Sequence, residues 1–427
     1  MIHLKMNTEA YEIEYNILMT RIKDVFAGSS GFNTAQSYIR GLLGSSNRKN
    51  GWQLAEHLGK TTPYAIQQFL YRGRFCAHEL RDIGRIYISE RLGDDDGVPV
   101  VDETGFLKQG KKTCGVKRQY SGTAGRIENC QIGVFLSYSS PKGHCPIDRR
   151  LYLPEEWIND KERRKAAGVP ESAVFQTKPQ MALEMIRQAA ESDVPYTWVT
   201  GDCVYGDYRD IRMWLEEQGK YYVMSVSGKE YVWRGSKQVS IKSLIKDLPE
   251  EGWFCANCGD GSKGERLYDR MTIDINPGTI QDHKRSVLVR RNKNSPDELR
   301  AYICYAPENT PAQKLLEIAA RRWTIETCFK EAKSEVGLDQ YEVRSYGGWY
   351  IAILLMVVRQ SCPNLASLAR LPDYEKENCY KHITFANIAL ALLFVLSSRS
   401  PDTKTIQQHD PKSSSLDDFK RGRNLRV

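Results

Sequence analysis

The sequence predicts an α/β protein. An all-helical unit precedes a mixed sheet with helices packed on both faces, and a β-rich insertion interrupts that sheet. Three observations predict this. Up to about Leu92 the apolar residues recur at helical spacing, with little strand-like alternation. From Val98 three sequential strands give way to strand–helix alternation, a texture that suits a mixed sheet better than a doubly wound one. From Gly228 to about Pro307 several short strands occur without a convincing long helix.

At 427 residues, 41% hydrophobic and 27% charged, the chain is long enough for two or three domains, and its composition excludes a disordered or collagenous one. The apolar runs Ile351 to Val358 and Ile388 to Leu396 are shorter than the ~18 to 20 residues that cross a bilayer, so no membrane partner is expected. Met1 to Tyr15 carries Glu9, Glu12 and Glu14 and lacks the basic start and apolar core of a secretion signal, which predicts a cytoplasmic protein. The 11 cysteines are odd in number and irregularly spaced, as reduced thiols are. A net charge of +8 favours a polyanionic partner, nucleic acid first.

The helical unit spans residues 1–95. Inside it, Trp52 to Gly59 and Thr62 to Leu70 read as two short helices, with Gly59 closing the first and Thr62 capping the second ahead of Pro63. Arg40, Arg48, Lys49, Lys60, Arg72 and Arg74 surround this helix-turn-helix pattern, although any small bundle with a basic surface shows the same. Gly93 to Gly97 is a turn cluster and the first boundary.

Strands are expected at Val98 to Val101, Cys130 to Ser139 and Cys145 to Leu153, then a helix at Pro179 to Ser192 and a strand at Tyr196 to Thr200. A helix at Tyr208 to Gln218 and a strand at Tyr221 to Ser227 complete the part spanning 96–227. The β-rich insertion, 228–307, holds strands at Tyr231 to Arg234, Arg266 to Ile275, Ser286 to Arg291 and Leu299 to Tyr305. One long helix from Pro311 to Val336 lies in 308–345, a helical region follows in 346–396, and a polar tail fills 397–427.

Three acids stand out. Asp102 follows the first strand, Asp202 follows the Tyr196 to Thr200 strand, and Glu326 lies on the long helix. Side chains leaving the ends of neighbouring strands can converge with one from a packed helix, and three carboxylates make a hard-oxygen cage for two divalent cations. Such a cage suits in-line displacement at a phosphodiester. Taken singly, each has a plainer explanation: Asp caps turns at strand ends, and Arg322, Glu326 and Lys330 form an i, i+4 ladder like that of any exposed helix. Lys333 returns to the same helical stripe, however, and a carboxylate among cations fits a site that handles phosphate.

Lys108, Lys111, Lys112, Lys117, Arg118 and Arg126 fall in a stretch with no acid, interleaved with Gly110, Gly115, Gly122, Gly125 and Tyr120. We read it as a loop that lets the main chain approach phosphates, against the plainer reading of a solvated charge run. Trp198 and Trp214 are expected in the core, and for Trp323 core packing is favoured over a base-stacking platform. Cys255 and Cys258 form one C-x2-C pair without a second, so no zinc site is expected. Strand alternation would point Glu103 away from Asp102, which leaves it outside the acid set.

Asp102-Glu103-Thr104-Gly105-Phe106, Gly115 to Thr123, Glu128-Asn129-Cys130-Gln131, Asp148 to Pro154 and Gly201-Asp202-Cys203-Val204-Tyr205-Gly206 resemble the bacterial insertion-sequence transposases of the DDE type. The similarity is greatest to the group numbered seven-oh-one, related to the larger group numbered four, and runs from about Ala35 to Tyr350. The resemblance implies an RNase H-like catalytic domain with a β-rich insertion between the second Asp and the Glu. It also implies catalytic and metal-binding Asp102, Asp202 and Glu326, with Arg322, Lys330 and Lys333 on the transposon-end phosphates. The Tyr of the related families' signature is Ala319 here, so that role is not carried over. A second departure separates Gly348-Trp349-Tyr350 from Lys381-His382-Ile383-Thr384 by residues 351–380.

The function implied is binding of terminal inverted repeats through the helical unit, cleavage of the ends, and joining of the 3′-hydroxyls to target DNA by two Mg2+ ions, with Mn2+ as substitute. The partners implied are double-stranded DNA and a second copy of the chain in a synaptic homodimer. Lys111, Lys112, Lys117, Arg118 and Arg126 are the further DNA-binding candidates. Two other readings stay open: a catalytically impaired end-binding regulator, for which residues 351–380 are the motive, and a metal-dependent DNA nuclease without strand transfer.

Overall fold

The computed structural model describes residues 8–346 apart from 44–50, 67–68, 70–74, 247, 262–263, 278–281, 294 and 337–343. The expectations for residues 347–427, including the separation at 351–380, the two apolar runs and the polar tail, lie outside the described residues.

Among the described residues the chain opens with the helices α1 (Thr8–Ile22), α2 (Ser29–Leu43), α3 (Gly51–His57) and α4 (Ala77–Leu92). Gly59 takes φ +66° after α3, and the amides of Gly59 and Lys60 donate back to Glu56 and Ala55 at 2.9 and 2.8 Å. Glycine makes that left-handed closure cheap. Residues 64–66 re-enter a helix beyond Pro63, and most of the segment 67–74 lies outside the described residues. Buried Glu14 of α1 accepts from Tyr87 Oη at 2.8 Å and Arg91 Nε at 3.1 Å, which ties α1 to α4.

The strands are β1 (Val98–Leu107), β2 (Lys117–Ser121), β3 (Arg126–Ser140), β4 (Gly143–Leu151), β5 (Trp198–Gly201) and β6 (Tyr221–Val226). Next come β7 (Tyr231–Arg234), β8 (Lys237–Ser240), β9 (Phe254–Gly261), β10 (Gly264–Asp274), β11 (His283–Asn292) and β12 (Ser295–Pro307). The helices interspersed with them are α5 (Glu155–Asn159), α6 (Lys161–Ala166), α7 (Lys178–Glu191), α8 (Cys203–Gly206), α9 (Arg209–Glu217) and α10 (Ile241–Lys246). The described chain ends its regular structure with α11 (Ala312–Arg321) and α12 (Trp323–Val336).

Ten strands form one mixed sheet in the order β2-β3-β1-β5-β6-β12-β11-β10-β9, with β4 also on β3. β3 runs antiparallel to β1 and β4, whereas β1, β5 and β6 are mutually parallel. All four residues of β5 are buried, as a parallel strand covered on both faces must be. Helix α7 leads from the antiparallel part into β5. Thr177 caps it in a reciprocal capping box with Gln180, and Pro179 stands in its first turn.

Three expectations need correction. The first strand does not stop at Val101: it runs to Leu107, so Asp102 lies within it, because Gly105 and Phe106 keep pairing with Ile132 and Gln131. The stretch expected as a phosphate-binding loop is partly a hairpin, with β2 pairing on β3 from Lys117↔Cys130 to Ser121↔Arg126. The helix expected from Pro311 to Val336 breaks at Arg322, between α11 and α12.

The β-rich stretch is continuous with the main sheet. β12 pairs antiparallel with β6 and carries β11, β10 and β9 outward, so these strands lengthen the same sheet, while β7 and β8 alone make a two-stranded one. The physical reason is the edge that β6 would otherwise expose, with its row of unpaired backbone groups. Among the described residues no helix is long and apolar enough to cross a membrane.

Candidate active site

The sheet register brings the two aspartates together. Val100 and Val101 of β1 sit opposite Thr200 and Gly201 of β5 in a parallel pair, so the next residues along, Asp102 and Asp202, emerge at the same level. Adjacent strands lie about 4.8 Å apart, close enough for two carboxylates to repel strongly. Asp202 ends its strand as the cap of α8, its Oδ1 accepting from Val204 N at 2.9 Å. A Cβ on Gly206 would stand 1.8 Å from the carbonyl oxygen of Ser225, so glycine is what lets this one-turn helix lie against β6.

Glu326 arrives on the first turn of α12. The break at Arg322 gives that residue a bridging position: Nη1 donates to Asp102 Oδ2 at 3.3 Å and Nη2 to Glu326 Oε1 at 2.7 Å. Trp323, expected in the core, is instead 36% exposed, with the Arg322 guanidinium 5.2 Å from its ring centroid. Its position directly after the helix break puts the indole at the site's margin.

Electrostatics follow from this packing. Burial, then the neighbouring Asp202 charge, push the Asp102 carboxyl up to about 8, with Arg322 pulling the other way. Burial, then Glu103, push Asp202 up to about 6. Burial disfavours the Arg322 charge, but Glu326 and Asp102 outweigh it and raise the guanidinium above its usual value.

Among the described residues no group of three His, Cys, Asp or Glu side chains stands ready to hold a metal ion. Arg322, rather than a third carboxylate, completes the contacts of Asp102. The donor set nonetheless suits a hard divalent cation. Two adjacent, largely buried aspartates resist ionising without positive charge beside them, and the structure supplies that charge with a guanidinium.

The basic candidates divide. Lys333 Nζ donates to Thr104 Oγ1 at 2.8 Å and to Thr123 Oγ1 at 2.7 Å, between β1 and the β2–β3 turn. Lys330 is exposed on the same helix. Lys111 and Lys112 are exposed on the segment ahead of β2, and Arg118 is exposed on β2 itself. Lys117 pairs with Glu156 at 2.9 Å, and Arg126 with Glu128 at 2.8 Å.

The sequence reading missed a second group of residues. The Glu103 carboxylate accepts from Lys178 Nζ through Oε1 and from Tyr205 Oη through Oε2, each at 2.5 Å. Alternation does take Glu103 away from Asp102, but toward α8, where fully buried Tyr205 follows Asp202 by three residues. The signal was available in the spacing of Asp202 and Tyr205, which places both on one helical turn.

Three comparisons with known proteins bear on this arrangement. Residues 26–243, just over half of the chain, match the family described as DDE superfamily endonuclease. Residues 167–358 match the Transposase DDE domain. The chain is 22% identical over 333 residues to a probable transposase for insertion sequence element IS701 from Microchaete diplosiphon, covering 76% of this chain and 80% of that one. Among solved structures, the NurA nuclease from Sulfolobus solfataricus aligns with 55% of this chain and 80% of its own, at 8% identity and a TM-score of 0.25. By the family match that spans β1, β5 and both aspartates, the chain belongs to the DDE superfamily endonucleases.

Proposed function

We propose that this protein is a transposase that binds the terminal inverted repeats of its own element, cleaves the ends and joins the freed 3′-hydroxyls to target DNA. The observation that carries this reading is the β1–β5 register, which sets Asp102 beside Asp202, with Glu326 joined to Asp102 through Arg322. The strand order β4-β3-β1-β5-β6 supports an RNase H-like core, and the helices before β1 support a separate end-binding unit.

Asp102, Asp202 and Glu326 would hold divalent magnesium, which when bound supplies Lewis-acid activation of the attacking oxygen and charge stabilisation at the phosphodiester. The chain's own groups do the rest. Arg322 shifts its guanidinium from the carboxylates to a phosphate oxygen as DNA enters, a bidentate match that lysine would not reproduce. Lys330 offers a point charge to the next phosphates along α12, and Lys333 fixes the β2–β3 turn beside the scissile group. Lys111, Lys112, Lys117, Arg118 and Arg126 extend the contact along the flanking duplex. Synapsis of two ends calls for two copies of the chain.

The test uses purified full-length protein, Mg2+ and duplexes carrying the DNA that flanks its gene. Cleaved and joined products are expected from the wild type. Asp202→Asn is expected to abolish cutting and leave end binding nearly intact. Full cutting by that variant would remove Asp202 from the mechanism, whereas cleavage without joined product would make the protein a nuclease.

A further inference from the structure

The hairpin formed by β2 and β3 carries an apolar pair in an unexpected place. Tyr120 and Ile127 face each other across the two strands, and they are 64% and 59% exposed. Directly paired residues on a β-ribbon project to one face, so the two side chains form a single patch. Arg118, two residues before Tyr120, shares that face and is also exposed.

The hairpin does not float free of the acids. At its turn, Thr123 Oγ1 accepts from Lys333 Nζ at 2.7 Å and donates to the Gly105 carbonyl at 3.3 Å. A Cβ on Gly105 would lie 2.5 Å from Ser121 Oγ, so the hairpin end presses on β1 three residues past Asp102. Lys333 lies seven residues past Glu326 on α12. The patch is therefore mounted on the two elements that carry the first and third acids. The charge around it selects its partner: from Lys108 to Arg126 there are six basic residues and no acidic one, and of these Lys117 and Arg126 pair with Glu156 and Glu128 while Lys111, Lys112 and Arg118 are exposed. A polyanion with flat apolar faces meets both requirements, and stacked bases beside phosphates are that combination.

We infer that Tyr120 stacks on a base next to the scissile phosphate, with Ile127 filling the adjacent step and Arg118 on the phosphate between them. This rests on the proposed action on DNA ends and names the residues that grip the strand beside the cut. Wedging apolar side chains into a base step is a known way to hold distorted DNA, and a hairpin braced on the catalytic elements holds the wedge at a fixed distance from the acids.

The test compares the full chain with its Tyr120→Ala, Ile127→Ala, Tyr120→Trp and Arg118→Ala variants. Each is titrated into a short duplex carrying the terminal sequence at several salt concentrations. All of these substitutions fall at exposed positions, and matching melting temperatures confirm folding. Tyr120→Ala is expected to weaken binding about tenfold with an unchanged salt slope, and Tyr120→Trp to restore it. Arg118→Ala is expected to reduce the slope of log K against log salt by about one. Irradiation of a duplex bearing 5-iodouracil beside the cleavage point is expected to crosslink Tyr120.

Wild-type affinity in Tyr120→Ala and Ile127→Ala, alongside weakened Arg118→Ala, overturns the stacking but leaves the action on DNA standing. Failure of the wild type to bind the duplex overturns both. A Tyr120→Ala protein that changes from dimer to monomer in sedimentation while keeping its DNA affinity marks the patch as a subunit contact, which also overturns the proposal.

Discussion

Asp102 illustrates how a buried carboxylate works against folding. Its folded value of about 8 lies above the ordinary 3.8, so the folded protein holds the proton more tightly than the unfolded chain does. The stability that this supplies is complete below about pH 3.8 and is lost as the pH rises through about 8. Asp202, pushed up to about 6, has the same sign over a narrower window. Asp102→Asn is therefore expected to melt higher than the wild type at pH 8 in a chelating buffer, by about 3 °C or more, with the gap closing toward pH 4. Equal melting temperatures at pH 8 would mean that Arg322 already neutralises the carboxylate in full. Glu103 makes the complementary case. Tyr205→Phe removes a buried donor from its carboxylate and is expected to cost about 1–3 kcal/mol in urea unfolding. No change would show that the phenol hydroxyl is not the anchor of α8. Asp102, Asp202 and Glu326 stand out in the sequence because acids after apolar strands and on a basic helix stripe are a local pattern. Glu103 does not, because its partners lie 75 and 102 residues away.

Among the α-helices of the described residues, α8 is the shortest and the most constrained. It must place Asp202 at the mouth of β5 and Tyr205 beneath Glu103 while its last residue touches β6. Gly206→Ala forces the Ser225 carbonyl away and is expected to lose about 1–3 kcal/mol of stability together with most cleavage activity. Activity retained at the wild-type level would show that β6 can yield without moving Asp202. The run of β1 through Asp102 and the hairpin of β2 on β3 escaped the sequence reading for a shared reason. Glu103, Thr104 and Gly105 interrupt the apolar run, as do the glycines around β2, and local pattern reads such residues as loop. Cross-strand pairing with β3 holds them in extended form instead. The break at Arg322 was likewise invisible, since the apolar spacing of Leu315, Leu316, Ile325 and Phe329 continues across it.

Across the whole molecule, the N-terminal helices are fastened to the sheet by buried charge. Asp148 of β4 is 1% exposed, and Arg81 and Arg85 of α4 reach it at 3.4 and 3.8 Å. Burial alone would raise that carboxyl, but Arg81, Arg149, Arg150 and Arg85 together hold it below its usual value. Asp148→Ala removes the buried acid these guanidinium groups share, while Asp82 stays on Arg81 and Arg85 and Glu184 on Arg150, and is expected to cost about 3 kcal/mol. Limited proteolysis should then release the segment before β1 ahead of the sheet; simultaneous loss of both would show that the two parts unfold as one. Sequence texture puts a boundary at Gly93 to Gly97, but a cluster assembled from α4 and β4 lies beyond any local window.

The neighbouring positions of β6 and β12 have a practical corollary. Chain that leaves the sheet after Val226 returns beside its point of departure, so the α12 helix is delivered to Asp102 whatever hangs between. A passenger domain spliced between Ser236 and Lys237, at the exposed β7–β8 turn, should be carried as a pendant without displacing Glu326. A fluorescent reporter could thus be built into the middle of this polypeptide and still ride on a working enzyme.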